Sequence, residues 1–479
     1  MAMRGDHCFF GVGALLLGAF GAAGSPAASV LPNVLVILVD DAGYADFGFM
    51  GSKDLLTPHI DRLASLGTVF RDAHVTATVC SPSRAGLLTG RYQQRFGHET
   101  NSPPPELGLP VGEQTLGDVL GGAGYRTIAI GKWHLGERSS FHPLNRGFDE
   151  FYGFLEGGRG YFPDPAIDRP DNARALLEGR QQVDFTGYLT DRFTDRALEF
   201  LADAGTSTVA GERRPWFMYL AYNAVHTPMH AKPQDLARFA GHPRRELAAM
   251  TWSLDENVGR IIAALDASGA MDDTLIFFLS DNGGAYNNQS SNLPLKGWKG
   301  NQFEGGHRVP FVVTWKNHLP AGGHFDGLTS ALDIFATASR VAGVDPVERG
   351  ADGVDLLPYL TGEQAGDPHD KLYWRKDRMA GMRWGTDKLV RLEGYGYRMY
   401  DLAAEPGETD DVAAQKPARF EQMKHDLITW ERRMANPLWF EGEAWDRVNY
   451  HIHQSLMDNR EVLYRSPDQM KDREKTGQN

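Results

Sequence analysis

Six apolar residues run without a break from Val34 to Val39, and Asp40-Asp41 follows at once. A strand with no polar face must be covered on both sides, which places it inside a parallel sheet with helices on each face. Tyr125–Ile130, Trp216–Ala221, Leu275–Leu279 and Val309–Thr314 read as further short apolar strands, and Thr68–Val75 as another. The helix signals between them are local. Thr57-Pro58 caps and opens a helix carrying Ile60, Leu63 and Leu66; Pro82–Leu88 is closed by Gly90; Thr115 caps a helix with Leu116, Val119 and Leu120 inward. Leu247, Met250, Leu254, Val258, Ile261 and Leu265 form one apolar stripe at helical spacing. This alternation predicts an α/β sandwich with a large, mostly parallel central sheet flanked by helices.

The texture changes after about residue 360. Thr361–Asp370 is polar and reads as a linker. Lys371–Tyr400 offers short strands broken by Gly381, Gly385, Gly394 and Gly396, as antiparallel hairpins require. Arg419–Met434 reads as one amphipathic helix with Phe420, Met423, Leu427 and Trp430 inward. At the other end, Arg4, an apolar run from Phe9 to Ala23 and the small residues Gly24, Ser25, Ala27 and Ala28 have the order of a secretory signal. The run is shorter than the roughly 20 residues a membrane span needs. The expected division is therefore a signal peptide at 1–28, a large N-terminal α/β domain at 29–365, a smaller C-terminal α+β domain at 366–467 and a polar, frayed tail at 468–479. The mature protein is expected to be exported, periplasmic or secreted, with no membrane insertion.

A formal charge of −13 argues against a broad basic surface for nucleic acid, though not against a small anionic ligand in a local cationic pocket. Of the two cysteines, Cys8 leaves with the signal, so Cys80 has no partner within the mature chain. Its neighbours decide between a buried inert thiol, a dimer bridge and a chemically special residue.

Chemistry-bearing residues stand where strands end. Asp40-Asp41 follows Val39, Lys132-Trp133-His134 follows Gly131, His226 follows Tyr222, and Asp281-Asn282 follows Ser280. In open α/β sheets ligands bind beyond the carboxyl ends of the strands, so these groups converge. Any one of them alone reads as a turn or cap. Together, Asp40, Asp41, Asp281 and Asn282 make an all-oxygen set suited to Ca²⁺ or Mg²⁺, and a cation relieves the repulsion among three carboxylates. No His or Cys cluster has the spacing of a zinc site.

Cys80-Ser81-Pro82-Ser83-Arg84, continued by Ala85-Gly86-Leu87-Leu88-Thr89-Gly90-Arg91, resembles the signature of the type I sulfatases of the alkaline phosphatase superfamily. The resemblance extends through Gly131–Gly136, His226-x-Pro228, Asp281–Gly284, Lys299 ahead of Glu304-Gly305-Gly306, and Asp352–Pro358. It implies an alkaline-phosphatase-like sandwich and oxidation of Cys80 to formylglycine by a maturation enzyme. It also implies one cation, Ca²⁺ by preference, on Asp40, Asp41, residue 80, Asp281 and Asn282. By the same resemblance residue 80 attacks sulfur with Asp281 as proton acceptor, and His226 or Lys299 protonates the leaving alcohol. His134 then releases the sulfate, while Arg84, Lys132 and Lys299 neutralise sulfuryl oxygens. The implied substrate is a sulfated saccharide. A phosphonate or phosphodiester hydrolase of the same superfamily is the alternative, and a non-catalytic glycan-binding relative a second. Arg95, His98, Glu99 and Asn101 either line the pocket mouth or form a solvated loop, and Arg138, His142 and Arg159 are similar. His230 is a candidate partner of His226.

Overall fold

The computed structural model describes residues 31–205, 208–209 and 212–476. The signal peptide expected at 1–28 lies outside the described residues. Among those described, no helix is long and apolar enough to cross a membrane.

Alternate side chains of the Asn33–Val39 strand feed two cores, as a strand buried on both faces must. Leu35, Ile37 and Val39 join the layer built by the helices Pro58–Ser65, Leu189–Ala204 and Arg245–Ser268. Val34, Val36 and Leu38 join the layer of Cys80–Thr89, Leu116–Gly122 and Leu332–Val341. The strand sits near the middle of a 10-stranded sheet. Five neighbouring strands run parallel: Thr274–Ser280, Asn33–Val39, Trp216–Ala221, Arg126–Lys132 and Glu150–Phe154. Antiparallel pairings flank them on both sides, Phe311–Thr314 on one and Leu177–Glu178 on the other.

The register aligns the ends that matter. Val39 is level with Ser280, Leu38 with Ala221, and Ala221 with Gly131, so Asp40, Asp281 and Lys132 leave the sheet side by side. Thr115 closes a reciprocal capping box with Asp118, worth about 1 kcal/mol to its helix. The Thr68–Val75 strand is divided. Thr68–Phe70 stays in the main sheet, while Ala73–His74 pairs with Thr329–Ser330 in a separate two-stranded one. Arg71-Asp72 makes the break, with Asp72 held by Arg383 at 2.9 Å.

Lys371–Lys376, Met379–Trp384, Asp387–Leu392 and Gly396–Asp401 form a four-stranded antiparallel sheet. Met423, Leu427 and Trp430 of the helix Pro417–Glu431 cluster with Met382, Leu389 and Met399. A second cluster joins Val390 and Tyr400 to Val448 and Ile452 of the helix Glu443–Met457. The polar segment from Asp468, expected to fray, is instead helical over Pro467–Thr476 and seats Met470 in that same cluster. Its last three residues lie outside the described ones.

Candidate active site

Cys80 opens the helix Cys80–Thr89, every residue of which is buried, and Gly90 ends it in the left-handed conformation (φ +64°) that glycine adopts without strain. The Cys80 thiol lies 3.5 Å from Asp40 Oδ1 and accepts a hydrogen bond from Lys299 Nζ at 3.0 Å. Burial, aided by Asp40, pushes the thiol up to about 12, so as cysteine it stays protonated and poorly nucleophilic at neutral pH.

The carboxylates around it are already counter-charged. Lys132 Nζ meets Asp40 Oδ2 at 2.5 Å. Lys299 Nζ meets Asp41 Oδ1 at 2.7 Å, and His226 Nε2 lies 3.6 Å from Asp41 Oδ2. Arg84 donates twice to Asp281 Oδ2, at 2.9 and 2.7 Å, and once to the Lys132 carbonyl at 2.8 Å. Burial alone would raise Asp41, but Lys299, His226 and Lys132 outweigh it and hold that carboxyl well below its usual range. Asp281 goes the other way: burial and the neighbouring Asp40 raise it against the pull of Arg84. Burial also lowers His226 to about 3 and, helped by Lys132, keeps His134 neutral. Lys299 is held protonated chiefly by Asp41.

The donor set fits a hard cation. Ligand atoms of Asp40, Asp41, Cys80 and His226 all lie within 4.8 Å of one another. The Asn282 amide nitrogen donates to Asp41 Oδ1 at 2.7 Å, while its Oδ1 is buried without a partner. A buried amide oxygen left unpaired beside three carboxylates is the environment a divalent cation satisfies. The other chelating cluster, His74, Glu304 and His307, differs in kind. It offers one carboxylate and two imidazoles, and Lys388 and Arg383 reach Glu304 at 3.0 and 2.7 Å.

A cavity of about 610 Å³ opens over Cys80, His134 and His226 and reaches Glu137, Glu156, Arg159 and Arg174. A second, of about 600 Å³, is lined by Asp41 and Lys299 and shares His226 and Asn101 with the first. Asn101 also accepts from the Ser81 backbone N–H at 3.0 Å. Apart from Arg159, the other candidates for the mouth do not line either cavity. Arg95 is spent on Asp352, Glu99 on Arg375, and Arg138 on Glu106. His98 is buried, with Nε2 at 2.6 Å from Ser81 Oγ, which donates to the His134 carbonyl at 2.6 Å. His142 accepts from the Leu144 backbone, and His230 is exposed. Arg159 does line the first cavity, paired with Asp168 at 2.8 Å.

Glu137, Glu156 and Arg174 were not among the sequence candidates. The available signal was the neighbouring Gly157-Gly158, because a Cβ at Gly157 would fall 2.5 Å from His134 Nε2. Glycine there marks the wall of the pocket.

Comparison with known proteins agrees with this geometry. The sulfatase family model matches residues 32–344. N-acetylgalactosamine-6-sulfatase of Canis lupus familiaris is 35% identical over 391 residues, covering 77% of this chain and 72% of that protein. Arylsulfatase G of Rattus norvegicus is 35% identical over 406 residues, covering 76% and 75%. Among solved structures, Ps i-CgsB in complex with k-i-k-neocarrahexaose superposes with a TM-score of 0.81 at 35% identity, covering 88% of this chain and 97% of that one. The chain belongs to the sulfatase family of the alkaline phosphatase superfamily and is a sulfuric ester hydrolase.

Proposed function

We propose that this sulfatase removes sulfate from carbohydrate, acting through a formylglycine made from Cys80 and one Ca²⁺ held by Asp40, Asp41, residue 80, Asp281 and Asn282. The observation that carries the reading is the ring of Asp40, Lys299 and His134 around a cysteine whose own thiol is buried and protonated. The saccharide assignment rests on the relatives, one named N-acetylgalactosamine-6-sulfatase and one solved in complex with k-i-k-neocarrahexaose.

A hydrated formylglycine supplies a hydroxyl for attack on sulfur and a second hydroxyl that lets the sulfate leave again. The cation supplies positive charge against the sulfuryl oxygens and the carboxylates. The chain's own residues do the rest. Asp281, oriented by the two Arg84 bonds, accepts a proton at residue 80. Lys299, protonated and 3.0 Å from the residue 80 side chain, supplies charge and a proton on the leaving-alcohol side, where neutral His226 lines the cavity and can accept a hydrogen bond. His134 lines the cavity as a neutral imidazole, able to take the proton of the second hydroxyl. Arg84 and Lys132 act from behind, holding Asp281 and Asp40 in place while adding to the positive field. A purely glycan-binding protein has no use for Lys299 and His134 in these positions. Residues 1–28 direct export, and a maturation enzyme oxidises Cys80.

Sulfate release is to be compared on an aryl sulfate, a sulfated disaccharide, a long sulfated polymer and a phosphodiester. The sulfated disaccharide should give the highest kcat/KM, because its hydroxyls supply remote binding energy. A clear preference for the aryl sulfate, or turnover of the phosphodiester alone, would overturn the carbohydrate assignment.

A further inference from the structure

Among the described residues, the cavity on the Lys299 side contains a cation that no carboxylate pairs with. Arg465 lies over the ring of Tyr286, 4.1 Å from its centroid, and 5.4 Å from that of Trp298. The two rings stand 5.7 Å apart. The Arg465 Nε is buried without a hydrogen-bond partner, and among the described residues no carboxylate pairs with its guanidinium. The other cations lining the cavity are engaged: Lys299 with Asp41 at 2.7 Å and Lys376 with Glu441 at 2.8 Å. The first cavity differs in this respect. Its Arg174 is paired with Glu156 and its Arg159 with Asp168, and Glu137 adds a carboxylate.

A guanidinium fixed on two aromatic faces is pre-organised, and its planar fork matches a sulfate or carboxylate in bidentate geometry. Its position relative to the reacting centre is set by the chain. Trp298 directly precedes Lys299, whose Nζ reaches Cys80 at 3.0 Å, and the same cavity is lined by Asp41 and His226. With His226 and Asn101 common to both cavities, the reacting centre has room for substrate on each of two sides.

We propose that Arg465, seated on Tyr286 and Trp298, forms a subsite for a second anionic substituent, borne by the saccharide unit next to the one that loses its sulfate. The inference rests on the carbohydrate-sulfatase reading above and adds a requirement to it. Substrates carrying a sulfate or uronate carboxylate on the adjacent unit are preferred over those with only the scissile sulfate.

The test uses full-length matured enzyme, native and Arg465→Gln, with three disaccharides sharing one scissile sulfate. The adjacent unit is neutral in one, sulfated in the second and a uronate in the third. Arg465→Gln should lower the ratio of kcat/KM for an anionic over the neutral substrate by about tenfold or more, mainly through KM. Whichever anionic substrate shows the larger drop identifies the substituent. Arg465→Lys, which keeps the charge but not the fork, should recover part of the ratio and so separates recognition from misfolding. Calorimetric binding of the same disaccharides to Cys80→Ala protein gives a readout free of turnover. Hydrolysis with a ratio indifferent to Arg465 overturns the subsite and leaves the hydrolase standing. Arg465-dependent binding without hydrolysis of any sulfated saccharide overturns the carbohydrate-sulfatase reading and leaves the subsite.

Discussion

Replacing Arg84 with methionine removes one fully buried charge from a cluster of six, Asp40, Asp41, Asp281, Arg84, Lys132 and Lys299. The guanidinium gives two hydrogen bonds to Asp281 and one to the Lys132 carbonyl, and it lies 3.6 Å from Asp40. Neither Arg84 nor Asp281 has any side-chain exposure, so water cannot replace what is lost. Breaking a buried pair from one side costs about 3–5 kcal/mol, because the remaining carboxylate is left uncompensated. Here the penalty belongs at the upper end, since Asp281 would also face Asp40 and Asp41 with less positive charge nearby. Urea unfolding in chelator, followed by tryptophan fluorescence, should show a loss of that size in Arg84→Met. Calcium should recover part of it by supplying charge at the same carboxylates. Arg84→Lys should fall between the two, keeping the charge and losing the fork. Sulfate release by Arg84→Met should drop at least about a hundredfold, equivalent to roughly 3 kcal/mol of barrier. A variant within about 1 kcal/mol of the native protein in chelator would refute the reasoning, because a lone buried carboxylate cannot be that inexpensive.

Other consequences are as direct. Metal analysis of protein purified without chelator should find one Ca²⁺ per chain, lost in Asp281→Ala together with activity; stoichiometric zinc on histidines would contradict the oxygen-ligand site. Asp255 accepts from the His59 and Ile60 backbone N–H groups at the start of the Pro58–Ser65 helix, and burial raises its carboxyl from 3.8 to about 6. The folded state thus holds this proton more tightly than the unfolded one. Its contribution is complete below about pH 4 and is lost as pH rises through 6, by up to about 3 kcal/mol. Asp255→Asn should flatten that part of the stability–pH curve measured by chemical denaturation, and an unchanged slope would show that Asp255 titrates normally.

The local parts of this site were legible because they depend on adjacency along the chain. An unbroken apolar run ending in Asp40, with others ending at Lys132 and Asp281, states both the strand and its functional end, and the parallel register aligns them. The Cys80–Thr89 helix could be read for the same reason, with Pro82 near its start and Gly90 at its end. What escaped depends on distant partners. Arg95 and Glu99 resemble pocket residues until Asp352 and Arg375, from 257 and 276 positions away, neutralise them. The Thr68–Val75 run looks continuous, yet Asp72 is drawn out of it by Arg383. The Glu443–Met457 helix was overlooked because its inward face mixes Asn449 and His453 with Val448 and Ile452; His453 Nδ1 bonds the Asn449 carbonyl at 2.9 Å, and Nε2 accepts from the Gln302 backbone at 3.1 Å. Pro467–Thr476 is polar enough to read as a tail, and the single buried Met470 is too small a signal to show otherwise.

The central claim concerns the chemical identity of residue 80, and peptide mass spectrometry of the active protein reads it without a substrate. Protein produced with a competent maturation enzyme should give a residue 80 peptide with the mass loss of a thiol replaced by an aldehyde oxygen. The modified fraction should track sulfate release across preparations, and Cys80→Ala should release none. Full activity in a preparation whose Cys80 is an unmodified thiol would contradict the account.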